Sequence, residues 1–321
     1  MEIELLSPLH IGSGNVLSEI DYEYRDGKVI VFDFDLAYES GDERLRRWLE
    51  EGKYDSARSA LRKYARYEID SFCVPSSIAE AIKIGNKPYI PGSSIKGAIR
   101  TAILWKYMKD RDVKAHNPSE LSRIERELFG KPQADFMKFF RISDSSFAKI
   151  EDVGVYALIL FSEDEGILKQ RSVTAAECIK SGTKFALSLD VDLKRCSKDK
   201  VCVKRKDFLE KWDEITAEFS RHVLNEDIRF FEERNDGSFD ELIKWMHNLK
   251  DELESKILLR LGFGTGWLWK SVGSLLSREE RIEVGRKLKL NMGKVGLDFP
   301  KTRKVVDEKG KFRLAGWVEV V

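Results

Sequence analysis

"YIPGSSIKGAIRTAILWKYMK", residues 89–109, joins a Pro-Gly turn and two serines to a run that carries lysine and arginine but no acid. Pro91-Gly92 reads as a turn, and a hydroxyl of Ser93 or Ser94 is placed to cap the helix that follows. Ile95, Ile99 and Ala102 fall at i, i+4 and i+7, a buried stripe, while Lys96, Arg100 and Tyr107 share a different face. From Lys83 to Lys109 there are six basic residues and no Asp or Glu, in a 321-residue chain whose formal charge is only +1. A helix N-terminus offers unpaired N–H groups and partial positive charge, and cations beside it make a site suited to phosphate. The competing reading is an ordinary turn with solvated lysines. A nucleotide-hydrolysing P-loop is excluded, because Ala98-Ile99 follows Gly97 where that motif needs Lys-Ser or Lys-Thr.

A second glycine-rich stretch lies far away, "LRLGFGTGWLWKSVG" at 259–273. Gly262, Gly264 and Gly266 alternate with Phe263, Thr265 and Trp267 and do not match a dinucleotide fingerprint. Glycines let a polymer backbone approach, and Phe263, Trp267 and Trp269 offer flat rings between Arg260 and Lys270. That interleaving suits single-stranded nucleic acid. The competing reading is a core strand ending in a tight loop with its tryptophans buried. A third loop, "SPLHIGSG", places His10 before Gly12, Ser13 and Gly14. His10 is a general-base candidate, but a lone histidine is more often a structural hydrogen-bonder. Asp21 and Asp144 are single acids at strand ends, positions that favour caps and turns.

Hydrophobic residues, 42% of the chain, suffice for a core, and the 35% charged residues are balanced, so any basic surface is local. Cys73, Cys178, Cys196 and Cys202 have no C-x-x-C spacing and the four histidines are scattered. No metal site or other cofactor is expected, and the cysteines are read as reduced, buried thiols. Glu2 and Glu4 exclude a signal peptide at the start, and no run spans a membrane, so a cytoplasmic protein is expected.

Along the chain, 1–40 reads as β, with Asp26-Gly27 as a hairpin turn. Residues 41–70 read as helices and 141–192 as β. Residues 205–257 read as charged helices broken near "NDGS". From Arg278 onward, twelve Lys or Arg face seven Asp or Glu, including "KVGLDFPKTRKVV". This order predicts an α+β architecture with helical insertions rather than a regular βαβ alternation.

Taken together and in this order, "LHIGSG", "YIPGSSIKGAIR", "LFG" at 128–130, "RISDSS" and "GFGTGW" resemble the RAMP superfamily of CRISPR-associated proteins. Within it the spacing looks most like the Csm5 group of type III-A effector complexes. The resemblance implies a ferredoxin-like (RRM-like) core with an antiparallel sheet, built from about 1–40, 83–204 and 258–321. Helical insertions at about 41–82 and 205–257 complete a single unit. It implies a non-catalytic subunit that binds CRISPR RNA (crRNA) and caps a filament of Csm3-like backbone subunits near the 3′ part of the crRNA. Such a subunit supports crRNA maturation, contacts other Csm subunits and is linked with host nucleases. The RNA would be held by His10, Gly12, Ser13, Gly14, Ser93, Ser94, Lys96, Arg100, Gly262, Phe263, Gly264, Thr265, Gly266, Trp267 and Lys270. By position, Asp21 matches the aspartate with which Csm3 cuts target RNA. Here, however, a hairpin and a helical block intervene before Pro91. An endoribonuclease using Asp21 or His10, and a scaffold that binds only proteins, stand as alternatives.

Overall fold

Alternation and turn chemistry set the first strands. In the computed structural model, which describes residues 1–288 and 299–321, β1 is Glu2–Leu5, with Ile3 and Leu5 buried, and β2 is Gly12–Leu17. The expected hairpin joins β3 (Tyr22–Arg25) to β4 (Lys28–Phe32) through Asp26 and Gly27, both at positive φ, 51° and 75°. Two left-handed residues match the twist of the strands they connect. Three short helices follow: α1 (Phe34–Glu39), α2 (Glu43–Glu50) and α3 (Tyr54–Leu61). Asp33 and Asp42 cap the first two by accepting from backbone N–H groups.

Helix expected through residue 70 stops at Leu61. "ARYEIDS" forms strand β5 (Ala65–Ser71), because Tyr67 and Ile69 alternate with Arg66, Glu68 and Asp70. β6 (Ile78–Ala81) follows, then a small ribbon of β7 (Lys83–Ile84) and β8 (Lys87–Pro88). Within the stretch expected as helical insertion, residues 65–71 and 78–81 are therefore strands.

The opening motif forms α4 (Gly92–Asp110), with Ile95, Ile99 and Ala102 buried as the spacing predicts. Asn117 caps α5 (Pro118–Phe129), which starts on a proline where no N–H is needed. β9 (Phe140–Ile142) leads to the longest pair, β10 (Val153–Asp164) and β11 (Ile167–Ile179), and then to β12 (Lys184–Ala186) and β13 (Leu189–Val191). The helices α6 (Leu193–Cys196), α7 (Lys206–Glu210), α8 (Trp212–Glu232) and α9 (Asp240–Glu252) follow, with a break at 233–239. β14 (Ile257–Arg260), α10 (Arg278–Lys287), β15 (Thr302–Glu308), β16 (Lys311–Arg313) and β17 (Trp317–Val320) complete the chain. Of the basic tail, Lys289 and Lys294 lie outside the described residues.

The expected α+β class holds. One sheet is four-stranded and antiparallel, in the order β12-β1-β17-β14. The second runs β2-β6-β11-β10-β5-β4-β3, with β15 added to β10 and β16 to β15. Its pairings are antiparallel except β5 with β10 and β6 with β11. Helix α8 packs on β14 and α4 packs on α8. Between these helices and the four-stranded sheet, Ile95, Ile99, Phe219, Val223 and Trp317 join one core. The two sheets meet at Leu9, which exchanges both backbone hydrogen bonds with Ile179 (3.0 and 2.8 Å). His10, the next residue, therefore leaves a fixed point.

One expectation is overturned outright. Cys196 and Cys202 form a disulfide, with Cα atoms 5.0 Å apart. The end of α6 and the turn beginning at Cys202 bring them together, while Asp199 accepts the N–H groups of Val201 and Cys202 and holds the turn. Six residues of separation gave no recognisable motif. Cys73 and Cys178 are free thiols.

Candidate nucleic-acid interface

Three loops far apart in sequence line one groove of about 400 Å³. The first loop supplies Ile11 and Gly12, α4 supplies Ser93, Ser94, Gly97, Ala98 and Thr101, and the late segment supplies Arg260–Phe263, Thr265, Trp269 and Lys270. Among the described residues, no Asp or Glu lines it. The acid-free stretch read from the sequence thus forms one wall of this groove.

The glycine loop is fixed from below. Gly262 sits at φ 79°, and a Cβ there would come within 2.2 Å of the carbonyl oxygen of His10. Only glycine allows this approach. It lets the Phe263 N–H donate to that same oxygen at 2.8 Å, tying the late loop to the first. Arg260 is buried and donates to the carbonyls of Thr265 (3.3 Å), Gly264 (3.4 Å) and Ala315 (3.0 Å). Its charge is balanced by Asp227 of α8, which also accepts from Trp269 Nε1 (2.8 Å) and Arg303 Nε (2.5 Å). Arg260 is therefore a brace for the loop and not a free phosphate ligand.

His10 is buried, and its Nδ1 donates to the carbonyl of Glu177 at 2.7 Å. Burial pulls its pKa below the ordinary histidine value, so it is neutral at pH 7. The structural reading of His10 is the one its surroundings support. Beneath it the fully buried Glu177 carboxylate accepts from Tyr67, the N–H of Ala81 and Lys83. Ser13 donates to Glu80, as does Asn15, so the first loop rests on two buried carboxylates.

On α4 the arrangement differs from the sequence reading in two ways. Neither Ser93 nor Ser94 caps the helix; the Gly92 N–H donates to Asp144 Oδ1 at 2.8 Å. An internal carboxylate therefore occupies the helix N-terminus, and the two serines, two and three residues past the N-cap Pro91, face the groove instead. Lys96 and Arg100 do not line it. Arg100 pairs with Asp135 at 2.6 Å and lies 3.5 Å from the Phe129 ring centre, so it is held against the flank of α4. A 3.6-residue period puts Gly97 and Thr101 on the groove side and Lys96 and Arg100 a quarter turn away.

The aromatic residues separate as well. Trp269 is buried against Trp317, and Trp267 packs on Phe299 with ring centres 4.8 Å apart. Trp269 is a core ring, and Trp267 is half-buried against Phe299, so neither lies free in the groove. Phe263 is 40% exposed. Lys304 Nζ stands 3.8 Å from its ring centre; it is not among the groove's lining but touches a residue that is, and the sequence reading did not single it out. Asp227 was missed too. Its signal was legible: it lies among Val223, Leu224, Ile228 and Phe231 on the buried stripe of α8, where a carboxylate needs a partner.

Asp21 is not in the groove. Its Oδ2 accepts from the N–H and hydroxyl of Ser18, both at 2.7 Å, closing a turn. β2 carries the chain roughly 15–20 Å from Gly12 to that turn. Among the described residues, no group of three or more His, Cys, Asp or Glu is placed to hold a metal ion. No described helix is long and apolar enough to cross a membrane.

Comparison with known proteins agrees with the resemblance carried by the motifs. The chain is 26% identical over 385 aligned positions to the CRISPR system Csm5 protein of Methanocaldococcus jannaschii, covering all of this chain and 88% of that one. A chain in a cryo-EM structure of a Csm–crRNA–target RNA ternary complex of a type III-A system superposes with a TM-score of 0.79 at 24% identity. There, 100% of this chain and 99% of that one are covered. The crystal structure of T. onnurineus Csm5 gives a TM-score of 0.68 at 23% identity, covering 99% and 100%. These structures share the fold. The RAMP superfamily profile itself matches residues 2–269, from the first strand through the glycine loop, and the chain belongs to that superfamily.

Proposed function

We propose that this chain is a crRNA-binding subunit of a type III-A Csm complex. In this reading it caps a Csm3-like backbone near the 3′ part of the crRNA, supports crRNA maturation and carries no catalytic site of its own. The observation that carries the reading is the groove itself. Three RAMP motifs from residues 11–12, 93–101 and 260–270 converge on it with hydroxyls, a lysine and an exposed aromatic ring, and among the described residues no carboxylate lines it. Supporting it, the relatives named above are a Csm5 protein and a chain of a complex containing crRNA.

Ser93, Ser94, Lys270 and Lys304 would contact phosphates, while the glycines of both loops let the backbone approach. Lys96 and Arg100 would add charge only at the groove's flank. Such contacts ignore base identity and weaken with salt. Replacing Lys270 and Lys304 by Glu should weaken binding of the full chain to single-stranded RNA for all sequences alike. The salt slope should become shallower by about 0.7 per lost contact. Unchanged affinity would refute the site. The same protein incubated with RNA, with and without Mg²⁺, separates the endoribonuclease reading: cleavage lost in Asp21→Ala or His10→Ala would support that reading instead.

A further inference from the structure

We infer that the open face of Phe263 is a stacking platform for one unpaired RNA base, with Lys304 held against the ring; this rests on reading the groove as an RNA site. Trp267 and Trp269 are committed to packing, but Phe263 is 40% exposed on a loop that cannot move easily. Its own N–H is bonded to His10, its neighbour Gly262 is wedged against the same carbonyl, and Arg260 holds the two residues that follow it. Lys304 lies over the ring and His10 meets its edge, with ring centres 5.8 Å apart, so the part that stays exposed is what a base could cover.

The surroundings say what kind of group fits. The ring lines the groove with Ser93, Ser94 and Lys270, partners suited to phosphate, while the Lys304 ammonium lies 3.8 Å from the ring centre. A flat ring beside phosphate partners fits a nucleotide whose base is free to turn onto it. A duplex is disfavoured, since its bases are already paired and stacked. Among the described residues, no Asn, Gln, Asp or Glu lines the groove to read a base edge, so these residues offer the platform no base preference.

The test uses the full-length chain and a series of single-stranded oligoribonucleotides, each carrying 2-aminopurine at one position. Binding should quench one position strongly. Phe263→Ala should abolish that quench and weaken binding on the order of tenfold, Phe263→Tyr should keep both, and Phe263→Leu, which retains an apolar side chain without a flat face, should behave like Ala. Thermal melts of all three variants should match the parent, because the ring is exposed. If the parent binds but Phe263→Ala and Phe263→Leu leave quench and affinity unchanged, the platform is wrong and the groove reading stands. If the parent binds no RNA, both fall together.

Discussion

Asp144 Oδ1 accepts the Gly92 N–H at 2.8 Å, so the N-terminus of α4 is already filled by one of the protein's own anions. RNA held beside Ser93 and Ser94 is therefore not held by the helix dipole. Asp144→Asn keeps an acceptor and removes the charge. It should cost under about 1 kcal/mol in urea unfolding. RNA affinity by fluorescence anisotropy should stay the same or rise severalfold as a nearby negative charge disappears. A fall in affinity without a loss of stability would place the carboxylate among the binding groups.

Asp227 holds Arg260, Arg303 and Trp269 together in a buried cluster. Asp227→Ala leaves two buried guanidinium groups without their counter-ion. Breaking a buried pair in this way costs about 3–5 kcal/mol. Urea denaturation should show that loss, and the glycine loop that Arg260 braces should become more accessible to limited proteolysis. A variant within about 1 kcal/mol of the parent would show that the cluster does not hold the loop.

The Cys196–Cys202 bond closes a short loop, for which chain entropy gives about 2 kcal/mol. Thermal melts should drop by a few degrees in reductant. Cys196→Ser should melt at the lower temperature with or without reductant. Identical melts of the parent in both conditions would mean that the bond contributes nothing to stability.

Local signals carried much of the fold. Asp26-Gly27 specified its hairpin, and the i, i+4, i+7 stripe of Ile95, Ile99 and Ala102 specified the buried face of α4. The boundary at Leu61 was missed because Arg66, Glu68 and Asp70 continue the charge density of the helices before them, which hides the alternation of Tyr67 and Ile69. In the groove, residue type was legible but direction was not. Ser93, Ser94 and Gly97 face it, whereas Arg100, three residues past Gly97, is turned away by Asp135 in a separate turn. Which tryptophans are core depends on Phe299 and Trp317, contacts that no local pattern announces.

Gly97 gives the most direct measurement. It lies inside α4, lines the groove, and a Cβ there would meet nothing within 4 Å. Glycine inside a helix costs roughly 0.5–1 kcal/mol relative to alanine, so folding alone favours a larger residue here. Gly97→Leu should therefore be as stable as the parent or more so, yet it fills the space where the RNA backbone would lie. The measurement is the dissociation constant of Gly97→Leu for single-stranded RNA, taken beside its urea midpoint. A groove that holds RNA predicts at least a tenfold weaker complex from an equally stable protein. An equally stable protein that binds RNA as tightly as the parent would contradict the account.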